Sequence, residues 1–218
     1  MSAFFAVAYH NRVEIVSDGA TTDGEARLVR AETKIQWSPL MPMAAVATGH
    51  SYACGMLLIH SMKSTVTFQD NQDSANDYLI ETLPELADTL FASHGSFSLA
   101  IATMQAGTRP RLLHIHRGSA HGPRQATWTS IAASGPGFSS EHITAIGGIR
   151  NGLVSAGVAL LDMQRKWTAK PLDGAAEGFY IGGHVDHAVI NAEGVTINRV
   201  HEWPDIVGQL ISPREENV

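Results

Sequence analysis

The stretch from Ala3 to Asp18, AFFAVAYHNRVEIVSD, constrains the fold more than any other part of the chain. Phe5, Val7 and Tyr9 alternate with Phe4, Ala6 and Ala8, and the turn HNR leads into VEIVSD, so the pattern predicts a two-stranded hairpin. Apolar residues fall on both faces of this pair. A strand pair with two apolar faces needs cover on each, which places it within a layered structure.

The remaining segments supply those layers. GATTDGEARLVRAETKIQWSP mixes turn residues with charges, and MAAVATGH reads as a small-residue strand ending in glycine. Two helical segments follow. SYACGMLLIHSMK has apolar residues at helical spacing, and DSANDYLIETLPELADTLFAS aligns Tyr78, Leu79, Leu83, Leu86, Leu90 and Phe91 along one stripe. Pro84 predicts a kink or break in the second. SFSLAIATMQ, RPRLLHIHRG and QATWTSIAAS are three strand candidates, the last running into SGPG. SSEHITAIGGIRNGLVSAGVALLDMQRKW reads as two helices or one sharply bent, given Gly147, Gly148 and Gly152. GFYIGGHVDHAVINAEGVTINRVHE reads as two strands about an Ala-Glu-Gly turn. Runs of strands framing pairs of helices predict an α+β fold, with residues 1–218 as one domain and helices on the outer faces of packed sheets. A doubly wound nucleotide fold needs strict strand–helix alternation, and no G-x-G-x-x-G follows the first strand.

Charge and composition narrow the function. The net charge is −6, and the 15 Lys and Arg form no run or stripe, which argues against nucleic acid and anionic membrane as partners. No stretch approaches the ~18 apolar residues of a membrane span, and no basic-then-apolar leader opens the chain, so the expected location is cytoplasmic. The single cysteine, Cys54, excludes an internal disulfide; within YACGMLLI it reads as a buried, inert thiol. The 11 histidines raise the question of a metal, above all His114 and His116 on one strand face, and His184 with Asp186. A zinc site needs three or four converging ligands, which these spacings do not supply, so no metal and no cofactor are expected. The G-x-S-x-G elbow of the α/β hydrolases is also absent.

Three polar residues lie in register with the hairpin. Ser2 precedes the first strand, Asp18 ends the second, and Lys34 follows at the same spacing again in AETKIQW. A hairpin returns on itself, so Asp18 falls beside the residue where the first strand begins. A serine hydroxyl is a poor nucleophile at neutral pH and needs a base and a positive neighbour. A free α-amine, with an ordinary pKa of ~7.7–8.0, suits the first role, and a lysine oriented by a carboxylate suits the second. The amine belongs to Ser2 only once Met1 is removed, and a small second residue is what methionine aminopeptidase accepts.

In this spacing the chain is similar to the proteasome β-subunit-like branch of the N-terminal nucleophile hydrolases, whose mature chains begin with the nucleophile, usually threonine, followed by aspartate and lysine at these distances. SDGATTDG resembles the family's aspartate-plus-turn segment, though the arginine usual after the aspartate is missing. AAVATGHSYA resembles the strand whose glycine turn offers an oxyanion-holding N–H, at Thr48 or Gly49. AASGPG places Ser134 at the family's second serine, near the amine, and YIGGHVDHAVINAEGV resembles its Gly-Gly strand and hairpin. The resemblance covers most of the chain. It implies a four-layer αββα sandwich of two mostly antiparallel sheets flanked by helices. It also implies hydrolysis of an amide or peptide bond by Ser2 with Asp18, Lys34 and Ser134, on a peptide or small amide substrate, in a homo-oligomer of the ring type its relatives form. Two family polar positions read Gly178 and Ile181 here, with Glu177 and Asp173 as nearby acids able to stand in. These departures support a second reading, a catalytically inactive structural or assembly subunit of the same fold.

Overall fold

The computed structural model describes residues 2–48, 51–67, 72–90, 96–104, 108–117, 124–137, 149–150, 152–170 and 175–213. Met1, Gly49, Phe91, Gly147, Gly148, Asp173 and the Cys54 side chain, all singled out above, lie outside the described residues.

The hairpin forms as expected. Strand β1 (Phe4–Ala8) pairs antiparallel with β2 (Val13–Asp18), with Phe4 opposite Ser17 and Ala8 opposite Val13. Short strands β3 (Ala20–Thr22) and β4 (Leu28–Ala31) make a separate two-stranded ribbon, and β5 (Gln36–Trp37) leads into β6 (Met43–Thr48). Helices α1 (Ser51–Thr67) and α2 (Gln72–Leu90) precede β7 (Phe97–Thr103), β8 (Arg111–Arg117), β9 (Arg124–Thr129) and β10 (Ile131–Ser134). Helix α3 (Val154–Arg165) and the hairpin β11 (His184–Asn191) and β12 (Gly194–Glu202) follow. Two five-stranded antiparallel sheets result, ordered β10-β1-β2-β11-β12 and β5-β6-β7-β8-β9.

Side-chain alternation explains why the hairpin is apolar twice over. Phe4, Ala6, Val13 and Ile15 cluster with Val46, Ala100 and Leu112 of the other large sheet. Phe5, Val7 and Val16, on the opposite face, cluster with Leu153, Leu160 and Leu161 around α3. A third cluster joins Leu99, Ile101, Leu113 and Ile115 of the second sheet to Leu57, Leu58, Leu79, Leu83 and Ala87 of α1 and α2. Each fully buried Leu, Ile or Phe contributes roughly 1.5–3 kcal/mol, so both faces of the hairpin hold it in place.

Two expectations need correction. QATWTSIAAS is two strands, not one. Thr129 Oγ1 accepts from Ile131 N at 3.2 Å and donates to Ile131 O at 2.8 Å, a local turn that ends β9 in one sheet and sends β10 to pair with β1 in the other. Helix α2 continues through Pro84, so the break expected there as one alternative does not occur. Leu79, Leu83 and Ala87, buried on either side of the proline, anchor it to the second sheet, and packing outweighs the lost hydrogen bond. The part of the helical reading over 139–148 falls outside the described residues; its C-terminal part is α3.

Helix α3 is tied to β2 by an ion in the interior. Glu14 accepts from Leu153 N at 2.8 Å, His187 Nε2 at 2.9 Å and Arg12 Nε at 2.6 Å. Burial alone would raise its pKa, but these bonds prevail and hold it at about 2. The carboxylate therefore stabilises the fold fully above its ordinary pKa of 4.5, and that contribution is lost as pH falls through about 2. We expect Glu14→Gln to lower urea-unfolding stability at neutral pH by about 1–3 kcal/mol. It should also flatten the loss of stability seen in wild type on acidification below 4.5.

Candidate active site

Strand register brings the first three predicted residues together. Asp18 N donates to Ala3 O at 3.2 Å, and Ala3 N donates to Asp18 Oδ1 at 2.8 Å, which fixes the carboxylate against the start of the chain. Its second oxygen, Oδ2, accepts from Ala20 N at 3.2 Å and from Lys34 Nζ at 2.9 Å. The same ammonium donates to Ser2 Oγ at 3.0 Å. Asp18 is 1 % exposed and Ser2 8 %, so this cation–anion pair is largely withdrawn from water. Withdrawal strengthens the field that Lys34 exerts on the Ser2 oxygen. Because that oxygen accepts from Lys34, its own hydrogen is directed away from the ammonium.

Lys34 reaches this point because the residues before it are pinned. Glu32 N donates to Gly19 O at 2.9 Å, and Thr21 Oγ1 donates to Glu32 Oε1 at 2.9 Å. Thr33 hydrogen-bonds the Asp186 carboxylate, which also lies 3.1 Å from His184 Nε2. Burial opposes the charge on Asp186, yet His184, Thr33 and Arg199 together hold its pKa below the ordinary carboxylate value. His184 and Asp186 thus support the loop carrying Lys34, a role that their period-two spacing on one strand face did not distinguish from metal ligation.

Another support joins residues far apart in sequence. Arg165 and Asp205 form a buried pair at 2.5 Å. Arg165 Nη1 donates to Ile181 O at 2.9 Å, and Asp205 Oδ2 accepts from Gly183 N at 2.7 Å. This clamps the Gly182–Gly183 turn, whose Gly182 O accepts from Gly19 N at 3.2 Å, beside Asp18.

Ser134 and Thr48 form a second group. Ser134 lies opposite Phe4 in the β1–β10 pair, two residues along the strand from Ser2. Its Oγ donates to Thr48 Oγ1 at 3.5 Å, and Thr48 Oγ1 accepts from Ser98 N at 3.0 Å. The two positions where the resemblance implies polar residues are structural. Ile181 is fully buried in the α3 cluster, and a Cβ on Gly178 would lie 2.6 Å from the Ala26 Cβ, so Ala26 leaves no room for a side chain there. Glu177 does not stand in for them: it is exposed and accepts from Thr168 Oγ1 at 2.8 Å.

His114 and His116 are half-buried. Their rings stack at 4.7 Å, and His114 Nε2 lies 2.8 Å from Ser98 Oγ. Among the described residues no group of three or more His, Cys, Asp or Glu has an arrangement able to hold a metal ion. No helix among them is long and apolar enough to cross a membrane.

No family sequence model and no curated protein sequence matches the chain. Among solved structures it is similar to the Anbu (Gly-1) mutant from Hyphomicrobium sp. strain MC1, with a TM-score of 0.61 and 13% identity over 94% of this chain and 89% of that one. This likeness is one of fold alone.

The buried pair has an energetic consequence. Lys34→Met leaves the Asp18 carboxylate buried with only its two backbone donors, and we expect it to cost about 3 kcal/mol in urea unfolding. Adding Asp18→Asn to that variant should recover part of the loss.

Proposed function

We propose that the protein is an amide- or peptide-bond hydrolase whose nucleophile is the Ser2 hydroxyl, exposed as the N-terminal residue once Met1 has been removed. The observation that carries this reading is the single ammonium of Lys34 within hydrogen-bond reach of both Ser2 Oγ and Asp18 Oδ2, at 3.0 and 2.9 Å. In this reading the chain is one domain, a four-layer αββα sandwich, working in the cytoplasm as a homo-oligomer without a cofactor.

The chemistry follows from that placement. The Ser2 hydrogen, directed away from Lys34, passes to the Ser2 α-amine as Oγ attacks the substrate carbonyl carbon. Lys34 stabilises the negative charge developing on Oγ, and Asp18 keeps the ammonium in place. A backbone N–H at Thr48 or Gly49 holds the oxyanion, and Ser134 orients the amine. The amine then returns its proton to the leaving nitrogen, the C–N bond breaks, and an ester remains on Ser2. Water, deprotonated by the same amine, attacks the ester and frees the acid. A non-catalytic subunit of the same fold is the second reading, favoured by Ile181 and Gly178, where buried packing occupies the positions of polar groups.

A panel of peptide amides tests the assignment. Wild-type protein should hydrolyse at least one, Ser2→Ala should reduce the rate to background, and Ser2→Thr should retain much of it. Lys34→Met should lower kcat/KM by about 100-fold or more. The rate should rise with pH through about 7.7–8.0 as the amine loses its proton. Hydrolysis undiminished in Ser2→Ala contradicts the assignment.

A further inference from the structure

A cavity of about 380 Å³ opens between the two large sheets, lined by the polar Thr48, Ser96, Ser98, Ser134, His114, His116 and Arg117, by Gly135, and by the apolar Phe97 and Ala133. Its volume falls within the range of small-molecule pockets. It adjoins the start of the chain. Gly135 adopts a positive φ of 143°, and a Cβ there would lie 2.8 Å from the Ala3 Cβ, so the cavity wall packs directly on the residue after Ser2.

The lining has a particular chemistry. Four hydroxyls both donate and accept hydrogen bonds, and among the described residues no carboxylate lines the cavity. The Arg117 charge is met by Asp88 at 3.2 Å, which also binds Arg124, and its guanidinium stacks over Phe97 at 5.2 Å. His114 is hydrogen-bonded to Ser98, stacked on His116 and set edge-on to Phe4. Burial, reinforced by His116, lowers the His114 pKa to about 4, so this imidazole is neutral at physiological pH. With that pKa it is too weak a base to activate Ser98 as a second nucleophile. The Nδ1 of His116 is sealed from solvent without a hydrogen-bond partner among the described residues.

We propose that this cavity is a substrate subsite for an uncharged group that both donates and accepts hydrogen bonds, a primary carboxamide side chain being the class that fits. A cationic group would find no carboxylate among the described lining residues, and a carboxylate would find its strongest donor already engaged by Asp88. An aliphatic group would take water from the hydroxyls of Ser98 and Ser134 and leave them only His114 and Thr48 as partners, with the rest of their hydrogen-bonding capacity unmet, a penalty that such sites turn into rejection. The proposal rests on Ser2 being the nucleophile only in so far as it assigns the bound group to a substrate.

Binding and turnover test it separately. Protein labelled with ¹⁵N-histidine is titrated with N-acetylglutamine amide, N-acetylglutamate amide and N-acetylnorleucine amide. The glutamine compound should shift the ring nitrogens of His114 and His116 saturably and bind about tenfold more tightly than the other two. Ser98→Ala and His116→Leu, each checked for folding by circular dichroism, should abolish the shifts. Absence of a saturable shift, or equal binding of the norleucine or glutamate compound, overturns the proposal. In turnover assays, glutamine should be preferred over norleucine beside the scissile bond, and His116→Leu should remove about tenfold of that preference. Saturable shifts without any hydrolysis would refute the Ser2 reading while sustaining the subsite. Ser2-dependent hydrolysis with neither shifts nor preference would do the reverse.

Discussion

One buried ammonium ties the site to the fold. Lys34 Nζ donates to Asp18 Oδ2 and to Ser2 Oγ at nearly equal distances, within a region that excludes most water. A charge in such a place is tolerated only when it is paired and its partner's remaining lone pairs are satisfied. Asp18 meets that condition through Ala3 N and Ala20 N, so the backbone around the hairpin end, and not Lys34 alone, sets the position of the Ser2 hydroxyl. The same hairpin is held by apolar clusters on both of its faces.

Around this centre lie supports that never touch Ser2. Thr33 on Asp186, Glu32 N on Gly19 O, and the Arg165–Asp205 pair on the Gly182–Gly183 turn all converge on the backbone beside Asp18. Such an outer layer keeps side chains within the small tolerances that proton transfer and nucleophilic attack require. It also gives Ile181 and Gly178 a sufficient structural explanation: one fills the α3 cluster, the other lets two segments meet closely.

The sequence was most informative where geometry is local or set by strand register. Ser2 and Asp18 meet because antiparallel strands joined by a short turn must bring their open ends together, and period-two alternation assigned the two apolar faces of β1. The split of QATWTSIAAS was hidden because a single threonine hydroxyl, bonding its neighbour's backbone, ends one strand and starts another. Pro84 does not break its helix because tertiary packing overrides local preference. Arg165 and Asp205 stand 40 residues apart, and nothing in the pattern of either segment announces their contact. The cavity beside Ser134 was likewise illegible, since its walls come from β6, β7, β8 and β10 and its polarity emerges only when those strands are side by side.

The central claim is that the Ser2 hydroxyl and its own amine form a working nucleophile, and mass spectrometry of the protein treated with an electrophile directed at N-terminal nucleophiles tests it most directly. The expected result is an intact mass lacking one methionine, with a single adduct located on the peptide that begins at Ser2. Full retention of Met1, or a processed chain that gains no adduct at Ser2, would contradict it.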